Sequence, residues 1–90
     1  MSCRRFTVNE IPGDGGRSGW GIDDGTGSVA VLSTEVEALT TAIELAEDHC
    51  VACAETAEVV VVSRGHETVT VRFELIDGVA TRVQLRARAS

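Results

Sequence analysis

Ninety residues, 43% of them hydrophobic, predict a single domain over residues 1–90 with enough apolar side chains to form a core. The net charge of −6, with eight Arg and no Lys, argues against a nucleic-acid-binding surface, which needs clustered cations for the phosphates. No run reaches the roughly 18 apolar residues of a membrane helix, and three cysteines without a disulfide-rich pattern predict a reducing, cytoplasmic location.

The opening Met1-Ser2-Cys3-Arg4-Arg5-Phe6 is followed by no apolar stretch, so no secretory leader is expected. Residues 5–11 alternate, Phe6 and Val8 against Thr7 and Asn9, and predict a strand. The run Pro12-Gly13-Asp14-Gly15-Gly16-Arg17-Ser18 is a loop, and seven of the nine glycines fall between positions 13 and 27. Residues 20–23 form a short strand, Asp24-Gly25-Thr26-Gly27 a hairpin turn, and residues 28–32 a strand that is apolar on both faces.

Thr34-Glu35-Val36-Glu37 then has the form of a capping box, a Thr hydroxyl for the third amide with a Glu to answer it. Val36, Leu39, Ile43, Ala46, Cys50 and Cys53 recur at spacings of three and four, one apolar stripe of a helix from about 35 to about 53. Glu37, Thr41, Glu44 and Asp48 form the opposite stripe, with Glu47 beside it. Residues 34–58 hold seven acids and no Arg, so this segment is −7 and the remainder sums to +1.

Four consecutive valines over residues 57–63 predict a strand buried on both faces, and Arg64-Gly65-His66-Glu67 a turn. Val69, Val71, Phe73 and Leu75 alternate with Thr68, Thr70, Arg72 and Glu74. Asp77-Gly78 is a hairpin signal, and Val79, Thr81, Val83 and Leu85 alternate with Ala80, Arg82, Gln84 and Arg86 in a last strand. The order β-β-β-α-β-β-β predicts an α+β domain, a mostly antiparallel sheet with one helix packed on one face.

Phe6-Thr7-Val8, Gly19-Trp20, the capped helix Thr34-Glu35-x-Glu37-Ala38-x-x-x-Ala42-x-x-Leu45-Ala46 and Val59 to Val62 together resemble a family of small bacterial proteins catalogued as domain of unknown function 2188. The resemblance covers roughly residues 5–65. This chain departs from it in its long first loop, in Gly65-His66-Glu67 where that family tends to have Asp-Gly, and in the added hairpin at 68–86. The resemblance implies a fold and no activity.

Chemistry is sparse. His49-Cys50-Val51-Ala52-Cys53 offers ligands for zinc or a Cys-x-x-Cys for thiol exchange. Yet Cys50 and Cys53 fall on the apolar stripe, and the C-terminal end of a helix disfavours thiolate, so both read as core residues. A zinc site would need further ligands, and only Cys3 and His66 are available besides His49. Residues 21–28 look like the first phosphate loop of the actin and sugar-kinase superfamily, but Asp24 would repel phosphate and ninety residues cannot supply two flanking domains. No spacing links either histidine to a nucleophile, so no catalysis and no cofactor are expected. Trp20 reads as the main core filler.

The acidic face carries the functional expectation. Glu44, Glu47 and Asp48 crowd the end of the helix where the dipole disfavours anions, and no basic residue four positions away relieves them. The sequence therefore predicts a small cytoplasmic binding or regulatory protein, contacting a protein partner with a basic surface through Glu37, Glu44, Glu47 and Asp48. One alternative is a phage or mobile-element inhibitor of the anti-CRISPR type that occupies a basic nucleic-acid-binding groove. Another is a small zinc or thiol-redox protein using Cys50 and Cys53. Apolar residues on both faces of two strands further predict a homodimer through the open sheet face or an edge strand, flanked by Arg82 and Arg86.

Overall fold

A computed structural model describes residues 3–11, 19–63 and 65–83. The loop over 12–18, Arg64 of the expected turn, and Leu85 and Arg86 of the expected last strand lie outside the described residues. Six strands and one helix follow in the order predicted: β1 (Cys3–Ile11), β2 (Gly19–Asp23), β3 (Ser28–Leu32), α1 (Glu35–Cys53), β4 (Thr56–Ser63), β5 (His66–Ile76) and β6 (Val79–Val83). The protein is an α+β domain.

All six strands join one sheet in the order β3-β2-β1-β4-β5-β6. Each half of the chain folds into an antiparallel three-stranded meander, and their first strands meet at the centre, where β1 and β4 run parallel. Joining parallel strands requires a crossover, and α1 supplies it, lying across one face of the sheet. The register aligns Phe6 with Val59, Val8 with Val61, and Val8 with Ile22 on the second neighbour. These side chains, with Val71 and Phe73 of β5, form the buried layer under the helix.

The helix begins as its sequence dictates. Thr34 is extended, its Oγ1 accepts the Glu37 amide at 3.2 Å, and its hydroxyl donates to the Glu37 carboxylate at 3.1 Å. Its buried line shares Ala46 and Cys50 with the predicted stripe and departs from it toward the N-terminus. Ala38, Ala42, Ala46 and Cys50 are the fully buried residues, Leu39, Ile43 and Leu45 flank them, and Val36 is 74% exposed. A stripe averaging about 3.4 residues per repeat drifts against the 3.6 of the helix, so its two ends lie roughly 100° apart around the axis. Small residues take the central line because they let the helix axis approach the sheet, while the larger aliphatics fill the space on either side.

Two further expectations are corrected by the pairing. On β5, Val59 faces Val71 but Val60 faces Val69, so Thr70 is an extra residue and the alternation flips across it. Val71 and Phe73 point under the helix, and Val69 points to the outer face and is exposed. On β6, the turn fixes the faces. Asp77 and Gly78 both have positive φ, as a two-residue type I′ turn requires, which places Ile76 opposite Val79 and Leu75 opposite Ala80. Ala80 therefore packs on the core and Arg82 lies over the Phe73 ring, 5.8 Å from its centroid. Val83 takes the opposite side, so Arg82 does not flank an interface on the open face. Trp20 is half-buried at the edge of the core, and Phe73 is the largest fully buried side chain.

Candidate functional site

The outer face of the sheet is built around charge. Arg5 on β1 meets Glu58 on β4, Nε donating to the carboxylate at 3.0 Å, and reaches Glu67 on β5 at 3.8 Å. Glu58 is nearly buried, which is tolerable because the guanidinium partner stands directly beside it in the register. Arg72 and Glu74 form a second pair at 3.4 Å between Nε and the carboxylate. That pair is an ionic contact and not an aligned hydrogen bond, since Nε is buried and has no bonding partner. Val60 beside these groups is buried and Val62 half-buried, so the middle of this face is not a bare apolar patch. Its exposed apolar residues include Val31 at 65% and Val29 on edge strand β3, and Val69 on β5.

A shallow hollow of about 130 Å³ lies on the same face, lined by Asn9, Ile11, Gly21, Ile22, Asp23 and Ser28. Ile11 folds across Gly21 so closely that a Cβ there would lie 2.5 Å from its Cδ1. The adjoining Asp24-Gly25-Thr26-Gly27 turn satisfies its own amides. Asp23 accepts from the Gly25 amide at 2.6 Å, and Asp24 accepts from the Thr26 amide at 2.9 Å and its hydroxyl at 2.6 Å. The Thr26 hydroxyl and amide hold the Asp24 carboxyl below its ordinary range. Amides occupied by carboxylates cannot cradle a phosphate, and the loop works as a hairpin turn.

The larger concavity is on the helix side. A groove of about 480 Å³ runs between the C-terminal half of α1 and the β5–β6 hairpin, lined by Glu47, Asp48, Val51, Ala52, Gly78, Val79 and Ala80. Two carboxylates form one wall. Val51 and Val79, each more than half exposed, supply apolar surface beside them. Among the described residues no basic residue lines it, and none lies in the last turn of the helix. Of the four acids expected to bind a partner, Glu47 and Asp48 border this groove. Glu44 is exposed one turn earlier, and Glu37 is engaged with Thr34 at the N-cap. Among the described residues none of the four is in an ion pair. The contribution of Gly78, Val79 and Ala80 was hidden in the sequence, because it depends on where the hairpin folds back.

The cysteines divide differently from expectation. Cys50 is fully buried in the core, and that burial pushes its thiol up from the ordinary range. Cys53, read as core, is exposed: it is the last helical residue, where the chain leaves the sheet-facing direction. Ala54 ends the helix in the left-handed conformation, φ 52° and ψ 42°, which costs a residue with a Cβ about 1–2 kcal/mol. That turn brings Glu55 back toward the helix, where its carboxylate lies 2.7 Å from His49 Nε2. The His49 ring is set edge-on to Phe6 at 5.9 Å. His66 is exposed, opposite Ser63, at the far end of β4 from Glu55. Three thiols and no disulfide are therefore present. A thiol reagent added to the folded protein should modify Cys3 and Cys53 and spare Cys50 until denaturant is added. Cys3 should react slowly for an exposed thiol, since partial desolvation and the Glu58 carboxylate disfavour its thiolate. Mass spectrometry of the labelled chain reads the pattern, and labelling of Cys50 at the rate of Cys53 would contradict it.

No helix among the described residues is long and apolar enough to cross a membrane. No family model matches the chain, and no curated protein or solved structure matches it.

Proposed function

We propose that this protein is a small, non-catalytic binding module of the reducing cytoplasm that holds a basic, aliphatic segment of a partner protein in the groove between α1 and the β5–β6 hairpin. The observation that carries this reading is the pairing of an unrelieved acidic wall, Glu47 and Asp48, with exposed Val51 and Val79 in one concavity. Carboxylates without a cationic neighbour at the C-terminal end of a helix lose stability to the dipole, and a cationic partner reverses that term. Aliphatic side chains of the same segment cover the valines, supplying the area-dependent part of the affinity. Glu44 extends the acidic wall, and Glu37 serves the N-cap instead. Three unpaired cysteines support the cytoplasmic assignment.

A fluorescent peptide alternating Arg and Val tests the groove by anisotropy. It should bind the protein, more weakly as salt rises toward the screening regime. The double variant Glu47→Arg/Asp48→Arg should weaken binding at least about tenfold, the effect of roughly 1.4 kcal/mol, and leave the melting temperature equal or slightly higher. Val79→Asp should weaken it as well, whereas Glu35→Arg, at the other end of the helix, should not. Equal binding by the double variant and the parent would overturn the assignment. Light scattering on the same samples reads self-association. The exposed valines of edge strand β3 support a homodimer, and a mass of 9.5 kDa at tens of micromolar would exclude it.

A further inference from the structure

We propose that His49, Cys53 and Glu55 form a three-ligand site for a divalent transition-metal ion, zinc by preference, at the C-terminal end of α1. The Nε2, Sγ and carboxylate oxygen of these residues all lie within 4.8 Å of one another. Four-coordinate zinc, with bonds of about 2.0–2.3 Å, holds its ligand atoms roughly 3.3–3.8 Å apart. The set therefore closes on an ion by about 1 Å at its widest pair, while His49 and Glu55, at 2.7 Å, part slightly. Cys53 is exposed and has room to make that movement.

The arrangement has a local cause. His49 and Cys53 are four residues apart and share one side of the last turns of the helix. The left-handed Ala54 then turns the chain so that Glu55 faces His49. Alanine in that conformation is strained, and a helix that ended on glycine would reach the same geometry without the cost. The edge contact with Phe6 fixes the imidazole plane, so the ligand nitrogen is oriented before an ion arrives.

Charge favours a cation here. One divalent ion with a thiolate, a carboxylate and a neutral imidazole sums to zero. The helix C-terminus carries partial negative charge, and its last turn holds no basic residue to offset it. In the present structure His49 Nε2 and the Glu55 carboxylate lie 2.7 Å apart, and the ion would come between them. A thiolate, an imidazole and a carboxylate are the donors of zinc and cobalt sites and not of magnesium or calcium sites. With three protein ligands and an exposed sulfur, the fourth position belongs to water. Cys50 is excluded by its burial in the core and His66 by its place at the opposite end of β4, so this site differs from the Cys50–Cys53 pair that the sequence offers.

The site is independent of the groove reading, and its test uses the metal alone. Apo-protein at tens of micromolar, titrated with cobalt(II), should develop a thiolate-to-metal charge-transfer band that saturates at one ion per chain. Zinc should displace the cobalt and protect Cys53, but not Cys3, from iodoacetamide. Cys53→Ser should abolish the band, and His49→Gln and Glu55→Gln should each weaken binding roughly a hundredfold or more, since even supporting residues of metal sites contribute 10–100-fold. Metal-free melting curves of the variants establish that they are folded, and Cys3→Ser should bind as the parent does. Absence of a charge-transfer band in the parent, or an undiminished band in folded Cys53→Ser, would overturn the proposal.

Discussion

Phe73→Ala should lose about 3–5 kcal/mol of stability, the usual cost of deleting a fully buried aromatic ring. Phe73 is 1% exposed and is the largest fully buried side chain. Its register neighbour across β4 is Ala57, too small to fill the space the ring would vacate. The Arg82 guanidinium above the ring would also lose its aromatic platform, a contribution of about 0.5–1 kcal/mol at an exposed position. Domains of this size have about 5–15 kcal/mol in total, so the variant should sit close to its unfolding threshold. Urea denaturation should show the midpoint falling with little change in slope, and Phe73→Leu, which preserves most of the volume, should lose about 1.5 kcal/mol or less. A loss below about 1 kcal/mol for Phe73→Ala would mean that the core is not centred where β4 and β5 meet.

The second large effect should come from adding atoms. Ala42→Leu should destabilise by about 1–3 kcal/mol, although leucine and alanine differ little in helix propensity. Ala42 has no exposed surface, and it stands in the middle of the line Ala38, Ala42, Ala46, Cys50 that rests on the sheet. Three extra carbons there must push the helix off β1 and β4 or force strained rotamers. Val36→Ala is the matching control. A core stripe running through Val36 requires a substantial loss on truncation, whereas 74% exposure requires a change within about 0.5 kcal/mol. Chemical denaturation of the two variants distinguishes these arrangements: Ala42→Leu damaging and Val36→Ala neutral confirms the alanine line, and the reverse refutes it.

The candidate sites were legible only in part. The acidic surface follows from composition, because carboxylates at 44, 47 and 48 on a solvent-facing stripe have nowhere else to go. The groove beside it is formed with Val79 and Ala80, about thirty residues further along the chain, and no local pattern could pair them with Glu47. His49 and Cys53 stood in an obvious motif, but Cys50 distracted from Glu55, which became a neighbour only through the turn at Ala54. An alanine in the left-handed conformation leaves no mark in a sequence, where a glycine would have.

Elements and most of their boundaries were determined locally, although β5 begins at His66, inside the expected turn. Thr34 and Glu37 start the helix by hydrogen bonds within one turn, and the Asp77-Gly78 pair, both at positive φ, closes the last hairpin in two residues. Alternation placed Phe6 and Val8 correctly because period two holds wherever a strand is unbroken. Tertiary structure decided the order of the strands, the parallel pairing of β1 with β4, and which face each residue took beyond a bulge. It also decided that alanines and not the larger aliphatics lie closest to the sheet. The physical reason is the same in each case. Hydrogen bonds within a turn depend on neighbours a few residues away, whereas burial depends on how closely two elements approach, and that distance is set by side chains far apart in the chain.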